Sequence, residues 1–112
     1  MKDHLNILWT NGDLITSEKM VMMYAINGKS QGWWKQITLI IWGAPAKAIT
    51  ESDILQEKVR MAIHVGVHVT ACRACAEQLG VADFLEDLGV EVKHWGDGLT
   101  EILKEDKALL TI

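Results

Sequence analysis

The chain carries two thiols, Cys72 and Cys75, in the arrangement Cys72-Arg73-Ala74-Cys75. Three residues apart on a helix, they lie on the same face. Cys72 follows the apolar run Val67-His68-Val69-Thr70-Ala71 and opens a helical stretch that Gly80 stops. That order places Cys72 in the first turn, where unpaired backbone N–H groups and the helix dipole favour a thiolate. The thiolate is the nucleophilic form of cysteine. Arg73 could add positive charge beside it, or simply point to solvent. Cys75, one turn deeper, is placed to trap a disulfide or persulfide formed on Cys72. The simpler reading makes both cysteines small apolar core residues.

Other groups compete for attention. His64 and His68 join the cysteines as residue types that ligate zinc. His64 falls near a helix end and His68 within a strand, and no complete zinc spacing is present. No metal and no cofactor is expected. Asn11-Gly12-Asp13 and Gly96-Asp97-Gly98 could form anion-binding turns at helix starts. Neither completes a dinucleotide or phosphate-loop fingerprint, so tight turns with caps are preferred. Five tryptophans are many for 112 residues. Trp9 and Trp42 read as core, and Trp33-Trp34 as cover for a core edge or a subunit interface.

The elements that must position these groups alternate in type. Strands are expected over 5–10, 37–42, 67–71, 90–94 and 108–112. The run Ile37-Thr38-Leu39-Ile40-Ile41-Trp42 has the continuous apolar character of a strand covered on both faces. A helix is expected over 17–26, capped by Thr16 or Ser17 and stopped by Asn27-Gly28. Its segment 20–26 is apolar nearly all round, so it should be buried on more than one side. Gly43-Ala44-Pro45 breaks the second strand. Thr50 and Asp53 form a capping box for the next helix, with Ile54, Leu55, Val59, Ala62 and Ile63 on its apolar face. Shorter helices follow over 72–79 and 83–88, and a last one is capped by Asp97.

Strands separated by helices imply right-handed crossovers and a mostly parallel sheet with helices on both faces. The ligand site of such a sheet lies outside the carboxyl ends of its strands. There the chain delivers Thr10, Asn11 and Asp13, then Trp42, Gly43 and Lys47, then Cys72 and Cys75, then His94, Trp95, Gly96 and Asp97. Strand order decides which of these meet.

Length bounds the chain to a single domain spanning residues 1–112. Hydrophobic residues make up 49% and charged residues 23%, a globular balance. The net charge of −4, with no basic cluster, argues against nucleic acid or an anionic membrane as partner. No signal peptide or transmembrane run is recognisable, so a cytoplasmic location with reduced thiols is expected.

Several segments together resemble the DsrE/DsrF-like family. They are Ile40-Ile41-Trp42-Gly43-Ala44-Pro45-Ala46-Lys47, the stretch from Gly66 through Cys72-Arg73-Ala74-Cys75-Ala76, Leu88-Gly89-Val90-Glu91-Val92, and Leu99-Thr100-Glu101-Ile102-Leu103-Lys104. The resemblance runs over nearly the whole chain. It implies a three-layer α/β/α domain with a five-stranded parallel sheet. It also implies a homo-oligomer, trimer or hexamer, and a persulfide carried on a cysteine after the third strand and passed between sulfur donor and acceptor proteins. Cys72, with Gly80 after it, matches that cysteine. At Cys75 the best-studied relay members tend to have a small residue. Three functions follow as expectations: sulfurtransferase-like sulfur relay through Cys72, a thiol–disulfide pair of Cys72 and Cys75, or a non-enzymatic module binding a small ligand.

Overall fold

The computed structural model describes all of residues 1–112. Five strands alternate with helices: β1 (His4–Trp9), β2 (Gln36–Ile41), β3 (His68–Cys72), β4 (Glu91–Lys93) and β5 (Ala108–Thr111). They form one sheet of order β4-β3-β2-β1-β5, and every adjacent pair is parallel. The chain steps outward from β1 to β4, then crosses to the opposite edge to lay β5 beside β1.

That path explains an uneven three-layer arrangement. Right-handed crossovers from β1 to β4 place their helices on one face. The return crossover places its helix on the other. The first face carries α1, a continuous run of Leu14–Thr16, a π-helical stretch Ser17–Met22, and Met23–Ser30. It also carries α2 (Ala44–Glu51), α3 (Asp53–His64), α4 (Arg73–Gln78) and α5 (Ala82–Leu88). Only α6 (Gly96–Lys104) serves the second face. Strand side chains alternate between faces. Leu5, Ile7, Ile37, Leu39, Ile41, Val69 and Val92 join Val21, Met22, Leu55 and Val59 in a core of 22 buried residues. On the other face, Ile40 packs with Trp95 and Ile102, flanked by Leu8, Trp42 and Leu109.

Helix boundaries depart from the expectations in several places. Asp97 does not cap α6: the helix begins at Gly96 with Trp95 at its cap position and no side-chain cap, so Asp97 stands inside the first turn. Three more departures concern α1 and α3. First, Asp13, not Thr16 or Ser17, caps α1: its carboxylate accepts from the Thr16 N–H at 2.9 Å and from the Thr16 hydroxyl at 3.0 Å. These two bonds, the backbone one foremost, hold the Asp13 carboxyl below its usual range. Second, α1 passes through Asn27-Gly28 to Ser30; Gly28 is buried there, and an added Cβ would meet Ile37 at 3.0 Å. Third, the Thr50–Asp53 capping box does not form. The Thr50 hydroxyl donates back to the Lys47 carbonyl, and Ser52 caps α3 by accepting from the Leu55 N–H.

The stretch after Gly43 continues as α2 rather than as a plain break, because proline in a first helical turn gives up a donor that would be unpaired anyway. The segment 20–26 is buried on one side only: Val21, Met22 and Ala25 are enclosed, while Met20 and Met23 are exposed. Cys72 ends β3 and stands just before α4 rather than inside its first turn.

Candidate functional site

At the carboxyl edge of the sheet, a cavity of about 530 Å³ opens between the turn after β1, the start of α2 and the outer side of α4. Gly12, Gly43, Lys47, Glu51, Cys75 and Gln78 contribute to its wall. Two glycines shape it. Gly43 has φ 84° and ψ −126°, a conformation that a side chain would strain, and it turns the chain sharply from β2 into α2. At Gly12, an added Cβ would lie 3.1 Å from the Ala44 Cβ, so the β1 turn approaches α2 closely because Gly12 lacks one.

Both cysteines are free thiols. Cys72 is buried at 6% exposure, in extended backbone with φ −65° and ψ 118°. Its side chain takes no capping hydrogen bond from α4, so the N–H stabilisation expected for it is absent. Cys75 is half-buried and faces the cavity. Burial is the first cause pushing its thiol above the ordinary value. The hydrogen bond and charge interaction with Cys72 push the same way, while the backbone N–H groups of Gly43 and Cys75 pull it back. A hydrogen bond that raises a thiol's pKa is one made by its protonated form. Cys75 therefore keeps its proton more readily than an ordinary thiol.

Arg73 does not charge the thiols. Its guanidinium donates to the Val92 carbonyl and lies 3.7 Å from Glu77, so it ties α4 to β4.

The sequence-derived candidates separate into two groups. Gly43, Lys47 and Cys75 line one cavity, with Cys72 adjoining Cys75. The others are engaged elsewhere. The Thr10 hydroxyl donates to the Ile112 carbonyl, and the Asn11 side chain accepts from the Asp13 N–H. Trp42 packs on the α6 face. Trp95 reaches beneath β3, where its indole N–H donates to the Thr70 hydroxyl at 2.8 Å. His94, Gly96 and Asp97 are exposed. His64 is exposed at the end of α3, and His68 pairs with Glu91 at 3.0 Å at the end of β3 opposite Cys72. No group of three metal-ligating side chains comes together. Glu51 and Gln78 are additions that sequence reasoning missed; recognising α2 would have put Glu51 one turn beyond Lys47.

A second, polar hollow lies toward the amino ends of the strands. His4, Asn6, Thr38, His68, Lys93 and Lys107 line part of it. The His4 ring is 2.7 Å from the Thr38 hydroxyl. Its pKa is lowered first by burial, then by Lys107 and His68. No helix is long and apolar enough to cross a membrane.

No family model matches the sequence, and no curated protein does. Two solved structures are similar. BT1422 from Bacteroides thetaiotaomicron, described as a conserved protein of unknown function, is 39% identical with a TM-score of 0.95, over 98% of this chain and 95% of that one. The ychN protein from E. coli is 18% identical with a TM-score of 0.70, over the whole of both chains. The second likeness shows the fold alone.

Proposed function

This chain belongs to the family of BT1422, and from that premise we propose that it is a sulfur-relay protein of DsrE/DsrF-like type, with Cys72 as the sulfur-bearing residue. The observation carrying this reading is the thiol pair at the carboxyl edge. One cysteine is sheltered at the end of β3; the other adjoins it on the wall of a cavity. A persulfide on a sheltered sulfur is shielded from stray thiols in solution. Cys75 keeps a proton beside Cys72, ready for the thiol that leaves when sulfur is handed over. The resemblance carried by the segment Gly66 to Ala76 supports the same assignment.

Intact mass measurement after incubation with a sulfane-sulfur donor tests it. Wild type should gain one sulfur atom, Cys72→Ser should gain none, and Cys75→Ser should load more slowly. Wild type that never gains sulfur refutes the reading. A protein that instead cycles a Cys72–Cys75 disulfide at a measurable potential would favour the redox alternative.

The carrier is read here as a homo-oligomer. Leu14, Ile15 and Met23 on α1, with Ile54 and Met61 on α3, are all exposed apolar side chains. Their two helices pack together, so the residues share one side of the molecule. Burying such a surface stabilises self-association. Light scattering at micromolar concentration should give a trimer or hexamer. A mass of 12.5 kDa would overturn this.

A further inference from the structure

We propose that the cavity beside Cys75 receives the amino-acid head of a small zwitterionic thiol, and that the persulfide of such a thiol is the sulfur donor to Cys72; the second half rests on the carrier reading above. Lys47 and Glu51 both line the cavity. Neither side chain enters any of the molecule's ion pairs. They stand one helical turn apart on α2, with Cβ atoms about 5–6 Å apart by helix geometry. At that spacing opposite charges could close on each other, yet these leave an open cation and an open carboxylate facing the same space.

An α-carboxylate and α-ammonium on one carbon match such a pair, the carboxylate on Lys47 and the ammonium on Glu51. A plain anion would gain from Lys47 but be repelled by Glu51, and a plain cation the reverse. The rest of the wall fits a short thiol arm. Ala48 and Leu79 supply apolar contact, Gly12 and Gly43 leave room, and the arm ends toward Cys75.

Sulfur transfer then balances without an oxidant. The Cys72 thiolate bonds to the outer sulfur of the donor, R–S–S–H, and the donor's S–S bond breaks. Its electron pair leaves on the inner sulfur, which takes the proton from the Cys75 thiol. The products are Cys72–S–S–H, the free thiol R–S–H, and a Cys75 thiolate that regains its proton from solvent.

Two measurements separate the halves of the proposal. The first is binding of S-methyl-L-cysteine, which has no sulfur to transfer, followed by NMR titration. It should shift Lys47, Glu51 and Cys75 resonances. Lys47→Ala and Glu51→Gln should each weaken it about 1.4-fold to fivefold, the range for exposed charge contacts. Analogues lacking the amino or the carboxylate group should lose the same factor on wild type, and no further on the variant missing the matching charge. Both residues are exposed, so the variants should fold; circular dichroism checks this. The second is loading of Cys72 by cysteine persulfide, compared with the persulfides of 3-mercaptopropionate and cysteamine. Faster loading by the zwitterion, lost in both variants, supports the proposal. Absence of binding, or equal loading by all three donors, overturns it. Charge-dependent binding with no loading from any donor upholds the cavity's specificity and refutes the carrier reading alone.

Discussion

The two faces of the sheet are built from the same five strands and do different work. Facing α1 to α5, the inward side chains of β1 and β2 (Leu5, Ile7, Trp9, Ile37, Leu39 and Ile41) are all buried and apolar. On the opposite face, α6 covers the carboxyl half, where Leu8, Ile40 and Trp42 gather with Trp95 and Ile102. The amino half of that face is polar: His4, Asn6, Thr38 and His68 replace the apolar set. One helix of nine residues cannot cover five strands, so the sequence is apolar only where cover exists. The comparison teaches that the crowded face supplies cohesion, and that the carboxyl edge, anchored by it, is free to hold reactive groups.

The largest expected effect comes from cutting into the crowded face. Leu39→Ala should lower unfolding free energy by about 2–5 kcal/mol, the cost of losing buried methyl groups and leaving a cavity. Leu109→Ala, on the half-buried side near β5, should cost below about 1.5 kcal/mol because less area leaves water. Urea titration of both variants checks the ordering. Equal losses would break the distinction between the faces.

How much of this arrangement is legible in the sequence depends on whether local pattern or strand order sets it. The apolar run Ile37–Ile41 announces β2, and the Val67 to Ala71 run announces β3 in front of Cys72, because each is a local pattern. The helix α2 is hidden, since Gly43-Ala44-Pro45 looks like a break although Pro45 suits a first turn. The true cap of α3, Ser52, lies between the two residues whose spacing imitates a capping box. The two thiols are legible, and so is their place at a strand end. The cavity is not. Gly12, Lys47 and Gln78 meet only because β1, β2 and β3 are adjacent, which depends on long-range pairing that no local pattern encodes.

A smaller effect sharpens the comparison at the polar half of the second face. The His4 pKa is lowered by burial, Lys107 and His68, so the folded state resists protonation there. The unfolded chain takes that proton near the ordinary value of 6.5. His4's contribution to stability is therefore complete above 6.5 and declines as pH falls below it. Urea midpoints at pH 8 and pH 5 should differ more for wild type than for His4→Gln. An equal drop in both would show that the polar half does not sense the proton through His4.

The central claim is that the carboxyl edge carries sulfur on the sheltered thiol while the cavity thiol serves it. The direct measurement is the position of the added sulfur. Wild-type protein is loaded from a sulfane-sulfur donor and capped with an alkylating reagent, and the peptide holding both cysteines is fragmented by mass spectrometry. The account predicts the extra sulfur on Cys72, with Cys75 modified only as a thiol. Extra sulfur on Cys75, with Cys72 unmodified, would contradict it.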